Sequence, residues 1–281
     1  MIVDTHVHIV AEDRDRYPLN PEGPPLGWFE EAPVTAEGLL ALMDEAGVDR
    51  ATLVQALSAY GYDNRYTSDS ARAHPDRFTA VCILDMEDEG AVDKLDDLVR
   101  NESVTGLRLF TYSRPAADWL ADPKTFPVWE RAASLNIPVT VLMHPPKFSQ
   151  LRDVLQRFPT VPVAVEHLAH IGLDDGPPYK GAQTLFDLAD IPNLHLKFST
   201  VNLYESARGA STSQEFFRKL VDVFGAERLL WGTNFPATYD RSYPDQVHLA
   251  RESLDFLPEA DRRLIFGENA LRFYPSLGGG A

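Results

Sequence analysis

Apolar positions along this chain keep two rhythms in alternation. Short, nearly continuous apolar runs rich in valine, isoleucine and leucine are each followed by a stretch in which apolar side chains return every third or fourth position. The first rhythm predicts strands buried on both faces, the second amphipathic helices. The runs are Ile2–Ile9, Ala51–Leu57, Phe78–Leu84, Val104–Phe110, Pro138–His144, Val161–His167, Leu194–Ser199 and Arg228–Thr233. Strand and helix in turn predict a parallel sheet. Eight such units in a chain of 281 residues have the size of a closed (β/α)8 barrel, so the expected class is α/β, a TIM barrel. No break in composition divides residues 1–281, which predicts one domain, with 276–281 as a frayed tail ending in Gly278-Gly279-Gly280.

Punctuation between the runs supports this reading. Thr35 stands as a cap before Leu39, Leu40, Leu42, Met43 and Ala46, and Gly47 stands where that helix must end. Asp122-Pro123 opens another helix, with proline at a position whose N–H has no intrahelical partner. Ser211 and Gln214 have the spacing of a capping box ahead of Phe216, Phe217, Leu220, Val221 and Phe224. One connection is too long for a simple turn. Val10 to Val34, after the first strand, holds Pro18, Pro21, Pro24, Pro25 and Pro33 together with Arg14, Arg16, Tyr17, Trp28 and Phe29. In a barrel it leaves the C-terminal face, which predicts a lid or a substrate-contacting loop.

The formal charge of −16 arises from 42 acidic and 26 basic residues. With no basic block among them, nucleic acid and anionic membrane are excluded as expected partners. No apolar run approaches the ~18–20 residues of a membrane span, and the start, MIVDTHVHIV, lacks the basic leader of a secretory signal. A soluble, cytoplasmic protein is the expectation, with a homo-oligomer left open. Cys82, the single cysteine, lies inside an apolar run and predicts a buried, inert thiol. The chain has no Walker loop, no Gly-x-Gly-x-x-Gly after a strand and no Cys-x-x-Cys, which removes nucleotide cofactors and structural zinc from consideration.

Side chains two apart on a strand share a face, so Asp4, His6 and His8 are expected on one side of the first strand, opposite Val3, Thr5, Val7 and Ile9. Two imidazoles near the C-terminal end of a barrel strand can converge on one metal ion or one substrate oxygen. Asp4, one pleat below His6, is expected to orient a histidine. Glu166 has the opposite parity to His167 and is expected to face the helices and pair with a surface base. Gln55, Tyr60, Ser199, Tyr204 and Tyr239 fall at or just after strand ends, where substrate contacts collect, and Trp28 joins them from the long loop.

Six blocks together carry a resemblance. They are Asp4-Thr5-His6-Val7-His8, Gly106-Leu107-Arg108-Leu109-Phe110, Val141-Leu142-Met143-His144-Pro145, Glu166-His167-Leu168-Ala169-His170, Trp231-Gly232-Thr233-Asn234-Phe235-Pro236 and Gly267-Glu268-Asn269-Ala270. With them the chain resembles the amidohydrolase superfamily, in its branch of pyrone-dicarboxylate lactonase, sugar lactonases and aminocarboxymuconate-semialdehyde decarboxylase. The resemblance implies that His6 and His8 bind a divalent metal, zinc or manganese, or polarise the substrate carbonyl in members that use none. It implies His144 as a third metal ligand, His167 as a contact to substrate or water, and Arg108 as a clamp on a carboxylate or carbonyl, which a planar guanidinium suits. A strand-end His144 before Pro145 also suits a cap on the turn, and His170 suits either a site or a loop.

Asn234 departs from the family pattern, in which many members carry an aspartate as metal ligand and base. An amide oxygen can coordinate but takes up no proton, which leaves Asp240 or His167 as the base. The expected activity is hydrolysis of a small lactone bearing a carboxylate, by water attack on a polarised carbonyl. The alternative is metal-dependent decarboxylation of an unsaturated or aromatic acid, and the third reading is a barrel that only binds a small organic acid.

Overall fold

The computed structural model describes residues 1–23, 26–111 and 119–278; Pro24 and Pro25 of the long loop and Gly279 and Gly280 of the tail lie outside them. Eight strands run parallel in the order β1 to β8. They are β1 (Val3–Val7), β2 (Arg50–Val54), β3 (Phe78–Ile83), β4 (Val104–Phe110), β5 (Val139–Leu142), β6 (Val163–Val165), β7 (Leu194–Phe198) and β8 (Leu229–Trp231). The barrel closes where Asn234 N donates to His6 O and His8 N to Phe235 O, each at 2.8 Å. The segment after β8 is thereby bonded directly to the histidine strand.

Two apolar layers hold the barrel. In the outer one, Val7, Leu53, Leu107, Val141 and Val165 of the strands meet Leu39, Met43, Leu151, Phe217 and Leu220 of the helices. On the helix Ser213–Phe224, Phe216, Phe217, Leu220 and Phe224 make one buried face, and each such side chain taken out of water contributes about 1.5–3 kcal/mol. The inner layer joins Val3, Val54, Val81, Ala164 and Leu230 with Ala270, Phe273, Tyr274 and Leu277. Its strands are not all neighbours, so only inward-facing side chains can meet this way. The C-terminal segment lies against strand starts: Ser276 Oγ is 3.0 Å from Thr79 Oγ1. It plugs that end of the barrel and leaves the other for a site.

Helix ends largely follow the sequence. Thr35 Oγ1 accepts from Gly38 N at 3.0 Å, and Gly47 ends that helix at φ 67°. Asp122 accepts from Lys124 N at 2.9 Å. The helix Ser213–Phe224 is capped one residue later than expected, by Thr212 Oγ1 accepting from Glu215 N at 3.2 Å. The Ser211 hydroxyl is buried and donates to Tyr179 OH at 3.1 Å, which removes it from the cap.

The even alternation expected of β1 is also corrected. Its register with β2 moves from Asp4↔Ala51 to Val7↔Leu53, three residues against two, which is a bulge. Val3 therefore joins the inner layer while Val7 and Ile9 join the outer one. Asp4 accepts from Thr233 N at 3.0 Å, Thr233 Oγ1 at 2.7 Å and His6 N at 3.0 Å. Gly232 makes this close approach of β8 to β1 feasible, since a Cβ there would lie 2.7 Å from both His6 N and His6 Cβ. Gly232→Ala should cost about 1–3 kcal/mol by overpacking and lower the melting temperature by roughly 5 °C. An unshifted thermal melt would show that β1 moves freely against β8. Among the described residues no helix is long and apolar enough to cross a membrane.

Candidate active site

The C-terminal strand ends open into a cavity of about 320 Å³. Its wall is made by His8 after β1, Ala56, Leu57 and Ser58 after β2, Arg108 and Phe110 on β4, and Leu142 on β5. His167 and His170 after β6, and Asn234 and Ala237 after β8, complete the strand-end contribution. Leu26 and Trp28 come from the long loop. That loop is pinned at its base by Val10 N donating to Val34 O at 2.8 Å. Trp28 is fixed by Nε1–H donation to Ser58 Oγ at 3.1 Å and by stacking on His8, with ring centroids 5.4 Å apart.

His6 and Glu166 are fully buried beside this wall. His6 Nδ1 is 3.6 Å from Glu166 Oε1, and the His6 ring lies 5.0 Å from His8 and 4.7 Å from His167. Arg108 Nε donates to Glu166 Oε2 at 2.8 Å, with Nη2 at the same distance. Lys197 enters from β7, donating to Thr5 O at 2.9 Å and to Tyr274 OH at 3.3 Å. Two cations against one firmly ionised carboxylate favour negative charge developing in the cavity.

Burial sets the protonation states. It lowers His8 to about 4 and His6 and His167 well below the ordinary imidazole range, so these rings are neutral at pH 7. His8 Nδ1 faces the carbonyl of Val54 at 2.7 Å; a carbonyl only accepts, so Nδ1 carries the hydrogen and Nε2 the lone pair. Burial alone would raise Glu166, but Arg108, Lys197 and His167 outweigh it and hold the carboxyl at about 2. Burial lowers Lys197 to about 8 against the pull of Glu166 and raises Asp4 to about 6 against its hydrogen bonds.

These shifts make stability depend on pH. In the unfolded chain imidazoles take up protons below about pH 6.5, whereas folded His8 and His195, lowered by burial, do so only near 4. Their contribution is therefore complete above pH 6.5 and is lost as pH falls toward 4. Asp4, held near 6, works the other way for one proton. Thermal melts between pH 7.5 and 4.5 should show a falling melting temperature; a flat profile would mean that the rings titrate in the fold as they do in the free chain.

The turn after β6 delivers two of these groups. His167, Leu168, Ala169 and His170 take φ of 50°, 50°, 55° and 50°, a left-handed conformation that costs roughly 1–2 kcal/mol per residue with a Cβ. Because β6 ends at Val165, alternation stops there, and Glu166 and His167 both reach the site although adjacent in sequence. Asn202 holds the turn, donating from Nδ2 to His167 O at 3.0 Å while Oδ1 accepts from Ser199 N at 3.0 Å. Ser199 Oγ is bonded to His167 Nδ1 at 2.8 Å, and Leu168 and Ala169 are anchored in the outer core. The strain fixes a side chain that a relaxed strand would turn away.

Of the residues singled out in the sequence, the structure gathers His8, Arg108, His167, Asn234 and Trp28 on the cavity wall, with His6 behind them. Others are placed elsewhere. The Gln55 amide is buried, donating to Gly61 O at 3.2 Å and Asp63 O at 2.7 Å and accepting from Thr67 at 2.7 Å, so it shapes the turn after β2. Tyr60 OH accepts from Ala11 N at 2.7 Å and secures the long loop. Ser199 acts on His167. Asp240 is exposed, 3.4 Å from Tyr204 OH, and does not line the cavity; the exposed Tyr239 donates to Glu31 at 2.5 Å. Glu166, expected among the helices, instead faces inward on Arg108. Lys197 and Asn202 escaped the sequence reading. For Lys197 a signal existed, a lysine in the middle of a buried strand.

Among the described residues, His6, Glu166 and His167 offer one ligand atom each within 4.8 Å of one another. Both His6 nitrogens and Glu166 Oε1 are buried without a hydrogen-bond partner, a state that costs about 1–3 kcal/mol per group unless something binds there. Two neutral imidazoles and a carboxylate are a donor set of catalytic zinc, so these residues fit a divalent cation. His8, with Nδ1 on Val54 O and Nε2 keeping its lone pair, and His144, half-buried with its ring 5.9 Å from that of His170, are not part of this three-residue group.

A family model described as Amidohydrolase matches residues 3–276. An L-fucono-1,5-lactonase of Burkholderia ambifaria is 26% identical, over 97% of this chain and 94% of that protein. A D-galactarolactone isomerase of Agrobacterium fabrum is 28% identical, over 95% of this chain and 88% of that protein. Among solved structures, an amidohydrolase of Burkholderia multivorans with bound zinc has a TM-score of 0.76 at 19% identity, covering 98% of this chain and 99% of that one.

Proposed function

Because the chain belongs to the amidohydrolase family, we propose that it hydrolyses a small lactone in the cavity at the C-terminal end of its barrel. The observation that carries this reading is a neutral imidazole, His8, with a defined lone-pair nitrogen on the same wall as the Arg108 guanidinium. The names of two relatives, a lactonase and a lactone isomerase, support the same substrate class.

In this reading the lactone carbonyl oxygen points at Arg108, whose positive charge stabilises the oxyanion as water attacks the carbonyl carbon. His8 Nε2 accepts the proton that the attacking water loses. The ring C–O bond then breaks, the imidazolium returns that proton to the leaving alkoxide, and the product is an open hydroxy acid. His167, held by Ser199 and Asn202, positions the water, and Trp28 keeps the His8 ring in place by stacking. A divalent cation held by His6, Glu166 and His167 would add Lewis-acid polarisation of the carbonyl.

Acid release from a panel of 1,4- and 1,5-lactones, followed by titration at constant pH, tests the proposal. Saturable turnover of at least one lactone is the expected result. Release of carbon dioxide from aromatic acids with no lactone turned over would overturn it.

A further inference from the structure

We infer that the lactone preferred by this site carries a bulky apolar substituent in place of a full set of ring hydroxyls. The inference rests on the lactone reading above and comes from how the cavity rim is divided. Strands β6, β8 and β1 bring the polar groups His167, His170, Asn234 and His8, which are joined by the Arg108 guanidinium of β4 and by Ser58, whereas the remaining rim of β2, β4 and β5 is apolar, with Ala56, Leu57, Phe110 and Leu142. Phe110 and Leu142 are register partners on adjacent strands, so they form one continuous surface. Trp28 is tied to this half through Ser58, just after β2. Leu26, also on the wall, is 48% exposed, apolar area that a bound ligand would cover.

Much of the hydrogen-bonding capacity of the polar half is already used within the protein. His8 Nδ1 is used on Val54 O, His167 Nδ1 on Ser199, the Arg108 fork on Glu166, and Asn234 Nδ2 on Thr238 Oγ1 at 3.2 Å. Ser58 Oγ already accepts from Trp28. Of what these bonds leave over, His8 Nε2 and His167 Nε2 are taken up by the attacking water and Arg108 by the ester carbonyl in the lactone reading. Hydroxyls on the other ring carbons would be pressed against Leu57, Phe110 and Leu142, and each one buried without a partner weakens binding roughly tenfold. A hydrocarbon substituent gains instead, about fourfold for each methylene it buries.

Rates on the unmodified protein test this with three probes. They are an unsubstituted six-membered lactone, the same ring carrying a five-carbon alkyl chain, and an aldono-1,5-lactone with a hydroxyl on every ring carbon other than the two flanking the ring oxygen. The alkyl lactone should exceed the aldonolactone in kcat/KM by about 100-fold or more, as two of its three ring hydroxyls left unpaired imply. Equal or reversed preference overturns the inference while lactone hydrolysis stands. Calorimetric binding of the matching δ-lactams, which keep the ring and carbonyl but resist hydrolysis, separates the two failures. If no lactone is turned over, the lactone reading fails; tighter binding of the alkyl lactam than the hydroxylated one would still support the apolar half, and equal affinity would overturn it.

Discussion

Exchanging Glu166 for glutamine should lower both stability and turnover, with the larger thermal effect of any single change at the site. The side chain is fully buried and is the anionic partner of Arg108 at 2.8 Å, with Lys197 also drawn toward its charge. Glutamine keeps the shape and removes the charge, which leaves the buried Arg108 guanidinium without its anion. Breaking a buried pair from one side costs about 3–5 kcal/mol, and in a chain of this size that corresponds to a melting temperature lower by roughly 10 °C. Lys197, at about 8 with Glu166 present, loses its support and becomes neutral in the variant. Calorimetry of Glu166→Gln against the parent decides this; a shift of less than about 2 °C would show that Arg108 finds another partner and that the pair is not holding the floor of the barrel.

The second large effect is expected at His6, and it separates chemistry from folding. Both ring nitrogens of His6 are buried without a hydrogen-bond partner, so His6→Ala breaks no hydrogen bond and relieves a desolvation cost of about 1–3 kcal/mol per group. That relief offsets the cavity left beside His8 and His167, and the melting temperature and far-UV circular dichroism should stay close to the parent's. Turnover should fall by about 10³-fold, the range lost when carbonyl polarisation is removed, because His6 is one of the three groups that would hold the cation supplying it. Binding of one zinc equivalent, read by calorimetry, should be lost as well, because the remaining Glu166 and His167 are only two donors. A variant that unfolds would make His6 a structural core residue, and one that folds and keeps full activity would remove it from the site.

The contrast between these neighbours follows from how each reached its place. His6 and His8 could be read as a candidate pair from a strand signature alone. Glu166 could not, because the parity rule that sent it toward the helices holds only for extended backbone. The left-handed turn at His167–His170 resets that parity, and it exists because Asn202 and Ser199, more than thirty residues on, are bonded to His167. The bulge in β1 has the same character, since it is held by Asp4 accepting from Thr233 on the far side of the closing barrel. Asp240 shows the converse. It lies near Asn234 in sequence, yet the loop carries it to the surface.

What the sequence determined by itself is the eight-unit α/β barrel, its helix caps to within a residue, and the strand-end positions of His6, His8, Arg108, His167 and Asn234. Local periodicity encodes these, because burial on both faces makes a strand continuously apolar and chemistry collects where such strands end. Only the tertiary structure decided that Glu166 lies under Arg108 beside His6, that Lys197 is a cation within the barrel, and that Gln55 and Tyr60 serve the loops. Those outcomes depend on hydrogen bonds between residues far apart in the chain, formed where the backbone departs from the regular geometry on which periodicity rests.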